Sequence, residues 1–306
     1  LVDANGNDID YTYEDTVYVI VMTPLIPEAK LYNEFLGFMH NDTLGNKNLY
    51  TEFSREEIKA WLIEHGFTVD PVNLLTGSFS WNYEDMALYG RDDLEFIRYY
   101  ESMAADRNFG LGYGWTTNYT YELMITDLYA RVTIPGGHKL VFDRNPDGVY
   151  RTAGDYSFAI VNGTYQMEDY DGTIFTFDAD RLLRSIAYRD GRFVQFSYTD
   201  RNLTRVTDGI NSFVMTYNGD GNMETIMDSV GRVVTLSYDG DYLIAAENTD
   251  ADSLRYTYTD DGYLETVENF KGEIYVENTY DEIGRVTHQY AANMGVFDYT
   301  YDDKNR

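Results

Sequence analysis

The side chains that most often carry catalysis are few in this chain. It contains four histidines, His40, His65, His138 and His288, and no cysteine. A nucleophilic triad needs a histidine beside a serine, threonine or cysteine, but the four histidines lie in unlike contexts and no Gly-x-Ser-x-Gly elbow accompanies them. The absence of cysteine excludes disulfides and thiolate metal sites, although it does not settle the compartment. We therefore predict a protein that is not an enzyme.

Carboxylates, in contrast, are abundant. Asp and Glu number 52 against 23 Lys and Arg, which gives a formal charge of −29. Accidental carboxylate pairs are certain at this abundance, so a pair is no evidence for glycoside hydrolysis. The acids cluster in turn sequences, such as those around Asp250 and Asp260, and none has the Asp-x-Asp-x-Asp-Gly spacing of a calcium loop. We predict no metal and no cofactor.

The same charge limits the partners. Binding to phosphates needs the opposite sign, so we expect no nucleic acid partner. An anionic membrane surface is disfavoured for the same reason, and no run of 18 apolar residues could insert into a bilayer.

Three closely spaced glycines, Gly110, Gly112 and Gly114, resemble a nucleotide-binding fingerprint only superficially. The sequence from Trp115 to Leu123 has strand character, so the strand-loop-helix context of such a fingerprint is missing. We predict a tight turn that allows Trp115 to pack.

The elements that position these residues are set by a repeat. An aromatic residue followed by a polar or acidic one recurs at intervals of 21, 19, 21, 20, 22 and 21 residues. Such a period marks stacked copies of one structural unit. The series consists of Phe177, Tyr198, Tyr217, Tyr238, Tyr258, Tyr280 and Tyr301.

Each unit has the pattern of a β-hairpin. Residues 191–198 and 231–238 place apolar side chains at every second position, which is the strand period. Turns rich in Asp, Asn and Gly follow, and then a short second strand. A lone hairpin is marginally stable in water, so the units must pair edge to edge. We expect Val206, Ile226 and Val267 to fill the space between successive tyrosines. The tyrosines either form a packing ladder or an aromatic stripe that binds a glycan.

The chain divides into four parts. Residues 1–68 do not follow the repeat and predict a small α+β segment, with a strand at 16–22 and a helix capped by Ser54 and Glu57. Residues 69–130 form a second β block. Residues 131–171 predict irregular hairpins with turns at 145–148 and 162–163, and residues 172–306 hold the regular repeats.

Two sets of motifs carry a family resemblance. The sequence Gly-Arg-x-Val-x-Phe-x-Tyr, followed by Asp-x-x-Gly/Asn-x-Leu, resembles the Rhs or YD-repeat proteins, and residues 280–287 are the best single match. The block before the repeats is similar to the segment that precedes them in many Rhs proteins. The residues of that block to which we assign a structural role are Asp70, Pro71, Gly77, Arg98, Tyr100, Ser102, Gly112, Gly114 and Trp115.

The resemblance covers roughly residues 69–306 and implies a mainly β fold. In that family, which includes bacterial Rhs proteins, toxin-complex components and teneurins, consecutive antiparallel β-hairpins wind as a spiral strip into a hollow shell. Bacterial members often enclose a toxic C-terminal domain. The implied function is a non-catalytic shell segment of a secreted or surface-displayed bacterial toxin-like protein. The alternative is a glycan-binding or adhesive module that uses exposed tyrosines.

The expected partners follow from the same resemblance. They are the remaining repeats and a C-terminal effector of the same polypeptide, because the chain opens on Leu1 and stops within a repeat, and both ends look like cuts from a longer protein. An exposed edge strand would also favour self-association.

Overall fold

The computed structural model describes residues 72–73, 76–89, 94–250, 252–292 and 295–301. The α+β segment predicted for residues 1–68, together with Asp70 and Pro71, lies outside these residues. The described part is built from antiparallel strands, with single-turn 3₁₀ helices at Ser102–Ala104 and Pro135–Gly137.

Two small sheets precede the repeats. The first contains β1 (Ser80–Leu88), β2 (Leu94–Glu101) and β3 (Trp115–Thr117). We call the described residues of 72–117 the capping sheet. The second small sheet contains β4 (Glu122–Ile125), β5 (Tyr129–Thr133) and β6 (Lys139–Asp143). Strands β5 and β6 form a hairpin around residues 135–137.

The remaining strands form one antiparallel sheet of 15 strands, the repeat sheet. Each strand pairs with the strand before it in the chain, so the sheet is an unbroken series of hairpins. The mainly β strip of consecutive hairpins is therefore confirmed. Its strands are β7 (Ser157–Val161), β8 (Thr164–Glu168), β9 (Ile174–Phe177), β10 (Leu183–Ala187), β11 (Phe193–Thr199), β12 (Asn202–Thr207), β13 (Ser212–Tyr217), β14 (Met223–Asp228), β15 (Val233–Asp239), β16 (Tyr242–Asn248), β17 (Ser253–Tyr258), β18 (Leu264–Asn269), β19 (Ile274–Tyr280), β20 (Val286–Ala291) and β21 (Gly295–Asp298).

Only one face of the repeat sheet is buried. In β11 the side chains of Val194 and Phe196 are buried, while their neighbours in the strand point to solvent. Val206, Ile226 and Val267 are fully buried on the same face, as the alternation predicts. The period of two thus separates an apolar face from a polar one.

The turns explain why Asp-x-x-Gly-Arg recurs. One carboxylate oxygen of Asp228 accepts hydrogen bonds from the backbone N–H groups of Val230 and Arg232, and the other lies 2.6 Å from Nε of Arg232. Gly231 adopts φ 93° within this turn, a conformation that costs glycine little. Asp281 repeats the arrangement with Arg285. The aspartate carboxylate of each of these turns is therefore bonded to groups of the turn itself.

A β-bulge accompanies five of the repeated tyrosines. At Tyr198, Tyr217, Tyr238, Tyr258 and Tyr280 the register shifts by one residue, because the opposing strand contributes an extra one. A bulge bends its strand and strengthens the local twist. One bulge in each of these five hairpins therefore curves the strip regularly, and it leaves backbone groups outside the ladder at a fixed place in each unit.

Candidate functional site: the seam between the capping sheet and the repeat sheet

The capping sheet packs on the apolar face of the repeat sheet. Phe96 of β2 meets Phe213 of β13 edge to face, with ring centroids 5.7 Å apart. Trp115 of β3 lies 4.9 Å from the ring of Tyr256 in β17. These rings belong to one continuous core that joins both sheets. The seam is therefore a packed interface, and it brings together most of the residues that the sequence marked.

Arg98 is the charged centre of the seam. Its side chain is fully buried, and its guanidinium binds both carboxylate oxygens of Asp85 at 2.6 and 2.8 Å. It also donates to the hydroxyl of Tyr256 at 3.0 Å and lies 5.4 Å over the ring of Trp115. Burial alone would lower the pKa of Arg98, but the charge and hydrogen bonds of Asp85 and Tyr256 raise it above its ordinary value. The guanidinium therefore remains charged. The buried pair lies within the capping sheet, and the hydrogen bond from Arg98 to Tyr256 joins that sheet to the repeat sheet.

Trp115 and Tyr100 add further bonds across the seam. Nε1 of Trp115 donates to the hydroxyl of Tyr258 at 2.8 Å, and that hydroxyl donates in turn to the backbone carbonyl of Leu243 at 2.8 Å. The hydroxyl of the buried Tyr100 accepts the backbone N–H of Leu264 at 2.9 Å. Arg98, Tyr100 and Trp115 of the predicted block thus contact the repeats through their side chains.

Other residues of the block act through a hydrogen bond within the capping sheet or through close backbone approach. Oγ of Ser102 accepts the backbone N–H of Phe79 at 2.9 Å. Gly112 adopts φ 94°, and a Cβ built there would lie 2.7 Å from the backbone oxygen of Asp241. At Gly77 and Gly114 such a Cβ would lie 2.5 Å from side-chain atoms of neighbouring residues. These glycines let the backbone approach closely, and the predicted turn before Trp115 is present.

The repeated tyrosines form a hydrogen-bonded ladder. Each of five hydroxyls donates to a backbone carbonyl of the preceding hairpin at 2.5 to 2.9 Å. Phe177 opens the series without a hydroxyl and is fully buried. The donors are Tyr217, Tyr238, Tyr258, Tyr280 and Tyr301, and their acceptors in the same order are Leu203, Met223, Leu243, Leu264 and Val286.

Burial keeps these phenols neutral. It raises the pKa of Tyr217, Tyr238 and Tyr258 well above the ordinary value, and it raises that of the neighbouring Tyr256 to about 12. At neutral pH every ladder hydroxyl therefore retains the proton that it donates. Rings that pack on the core and hydroxyls that bind backbone leave little for a sugar to contact.

The acceptor residues of the ladder also face the capping sheet. The backbone N–H of Met223 donates to the carbonyl of Gly110 at 2.7 Å, and that of Val286 donates to the carbonyl of Gly77 at 2.9 Å. These residues stand at the bulges, where the regular strand pairing shifts. The capping sheet therefore pairs backbone groups that the bulges expose. Sequence reasoning missed this row, although the spacing of Leu203, Met223, Leu243, Leu264 and Val286 is its signal.

We predict that Tyr258→Phe destabilises the chain more than Tyr217→Phe. The first change removes a hydroxyl that serves both Trp115 and Leu243, and a buried polar group left without a partner costs about 1–3 kcal/mol. The second removes one bond, worth about 1 kcal/mol. Urea unfolding measures both. Tyr290→Phe, at a tyrosine that is 38% exposed, is the control, and an equal loss in Tyr258→Phe and Tyr290→Phe would contradict the ladder.

The two histidines within the described residues, His138 and His288, have no serine or threonine among the hydrogen-bond partners given for them. His138 follows the turn of Pro135–Gly137, and burial lowers its pKa to about 4. Nδ1 of His288 on β20 lies 2.7 Å from a carboxylate oxygen of Asp298 on β21. Within the described ranges no three acidic or histidine side chains are grouped to hold a metal ion. His40 and His65 lie outside these ranges.

The fold and the seam together define a β-hairpin repeat protein whose apolar face is covered by a small second sheet. Residues 69–142 match a family described as "Domain of unknown function (DUF6531)". A comparison with curated proteins found no match. In the described part, no helix is long and apolar enough to cross a membrane.

Solved structures were found that are similar to part of this chain. The crystal structure of TcdB2-TccC3-Cdc42 has a TM-score of 0.32 and 12% identity, over 72% of this chain and 18% of that one. The crystal structure of TcdB2-TccC3 has a TM-score of 0.31 and 14% identity, over 74% of this chain and 13% of that one. This chain thus spans less than a fifth of either length.

Proposed function

We propose that this chain is a non-catalytic wall segment of a β shell of the Rhs or YD-repeat kind. The observation that supports the proposal best is the seam. There, the capping sheet binds the backbone of successive hairpins at Met223, Leu264 and Val286, one repeat after another. A cover held at these three bulges limits changes in the curvature of the strip, which is what a wall requires.

The chemistry of the seam fits a structural role. Its buried charge, Arg98, is neutralised by Asp85, and its tyrosine hydroxyls bind backbone carbonyls. The alternative of a glycan-binding or adhesive module is not favoured, because the ladder rings pack against the core and five of their hydroxyls are already engaged. A sugar would have to displace bonds that hold adjacent hairpins together.

The wider setting belongs to the same proposal. The wall would be part of a secreted or surface-displayed bacterial polypeptide, and its partners would be further repeats and an effector domain of that polypeptide. The Rhs resemblance of the repeats and of the block before them supports this setting.

The test is limited proteolysis of the polypeptide that contains this chain, as it occurs in its source cells, followed by mass spectrometry. In the unaltered polypeptide, we expect a segment outside residues 72–301 to resist cleavage. In the Arg98→Met variant, in which the capping sheet is held less firmly on the repeat sheet, the same segment should be cleaved. Arg255→Met, at an exposed arginine of β17, is the control and should leave the protection intact. The shell proposal is wrong if the polypeptide in its source cells has no segment outside these residues that resists cleavage. It is also wrong if that segment is cleaved equally in Arg98→Met and Arg255→Met.

A further inference from the structure

A cleft beside the seam has a charge opposite to that of the whole chain. Its volume is about 440 Å³, and it lies between the loop at 107–111, strands β4 and β5, and the turns that precede β10 and β12. Although the chain carries a net charge of −29, the charged residues that line the cleft are four arginines and one glutamate. They are Arg107, Arg131, Arg181, Arg201 and Glu122.

The cleft opens where the regular bonding of the seam stops. At Met223 the capping sheet reaches the repeat sheet through the carbonyl of Gly110. At Leu203, one hairpin earlier in the same row, the cleft lies between them. Tyr198 also lines it, and within the described residues its hydroxyl donates to no carbonyl, unlike those of the five ladder tyrosines that follow. Donor groups that are used elsewhere in the seam are thus available here.

Three of the arginines are not neutralised by a carboxylate. Arg107 is paired with Glu122 at 2.6 Å. In contrast, Arg131, Arg181 and Arg201 form no salt bridge with any described residue, and the buried Nε of Arg131 has no hydrogen-bond partner there. A buried N–H group without a partner is rare in folded proteins.

The backbone holds two of these arginines in an uncommon conformation. Arg181 and Arg201 adopt φ 65° and 70°, in the left-handed region that residues with a Cβ seldom enter. Equivalent turns place both side chains on the same cleft, one hairpin apart. Both lie in short hairpin turns, where a positive φ is usual.

We propose that this cleft binds a ligand that carries two or more carboxylates. A planar guanidinium matches a carboxylate with two parallel hydrogen bonds, and the hydroxyl of Tyr198 and the amide of Asn202 add donors along the same wall. The volume falls in the range of small-ligand sites, roughly 300–1,000 Å³. Acidic side chains of this polypeptide itself are a source at high effective concentration, and a free polycarboxylate is the other.

The proposal concerns a ligand and does not depend on the wall role. Its test is isothermal titration of the whole 306-residue chain with citrate, with a tetraglutamate peptide and with pyrophosphate at low salt. We expect citrate or tetraglutamate to bind, and binding to weaken as salt screens the charges. Binding of the peptide alone would identify a polypeptide source, and binding of citrate alone would identify a free ligand.

The matched variants are Arg181→Gln with Arg201→Gln, and Arg255→Gln as the control. Both cleft arginines are exposed, so the double variant should fold. It should lose at least about tenfold in affinity, which corresponds to about 1.4 kcal/mol, whereas Arg255→Gln should change affinity less than about twofold. If neither carboxylate binds, if pyrophosphate binds more tightly than both, or if the double variant binds as well as the control, the proposal is overturned.

Discussion

Replacing Arg98 with methionine is expected to lower the free energy of unfolding by about 3–5 kcal/mol, because it leaves a buried charge without its partner. The side chain of Asp85 is only 2% exposed and is bound at both oxygens by the guanidinium. Methionine fills a similar length but cannot donate to Asp85 or to Tyr256. The measurement is urea unfolding at neutral pH, followed by tyrosine and tryptophan fluorescence.

A control variant and a double variant test whether the loss comes from the buried charge. Arg255→Met removes an arginine whose side chain is 63% exposed and lies 4.0 Å from Glu268, and exposed pairs contribute about 0–1 kcal/mol. The double variant Asp85→Leu with Arg98→Met removes both charges, so it should be more stable than Arg98→Met alone. A loss below about 1 kcal/mol in Arg98→Met would show that Arg98 and its bonds to Asp85 and Tyr256 contribute little to the stability of the seam.

The hairpins could be predicted because their causes are local. Alternating apolar residues select the buried face of β11, and the carboxylate of Asp228 closes its own turn with Gly231 and Arg232. Each unit carries these signals within about 20 residues, so the strip needs no information from distant parts of the chain.

The seam could be predicted only in part, because its contacts are long-range. Arg98 and Trp115 were marked by their place in a family motif, but Arg98 meets Tyr256 across 158 residues and Trp115 meets Tyr258 across 143. Asp85, in contrast, lies on β1 of the same hairpin as Arg98, 13 residues earlier in the chain. Only the contacts with Tyr256 and Tyr258 are therefore set by how the two sheets pack.

The bulges and the cleft are harder to predict from the sequence than the seam. A bulge adds one residue to a strand and is hidden by small changes in turn length, such as the intervals of 19 to 22 residues between the aromatic positions. The cleft gathers Arg107, Arg131, Arg181 and Arg201 from four separate turns and strands. Their common site results from the packing of the capping sheet beside β10 and β12, and no spacing in the sequence encodes it.

The close approach at Gly112 provides the sharpest test of the seam. Gly112→Ala and Gly231→Ala both place a Cβ at nearly the same backbone angle, φ 94° and 93°, so both should lose about 1–2 kcal/mol to left-handed strain. At Gly231 the new atom meets nothing within 4 Å, whereas at Gly112 it would lie 2.7 Å from the backbone oxygen of Asp241. Overpacking of this kind costs about 1–3 kcal/mol more.

The two variants should also differ in where the structure opens. The backbone N–H of Tyr113 donates to the carbonyl of Asp241 at 3.1 Å, and that of Met223 donates to Gly110. In Gly112→Ala these two amides should exchange with deuterium faster than those in the centre of β15, because the clash separates the capping sheet from β14 and β16 while the hairpins remain paired. In Gly231→Ala the same amides should remain protected. Equal losses of stability and equal exchange in both variants would mean that the capping sheet does not depend on this contact, and that the repeats hold their curvature without it.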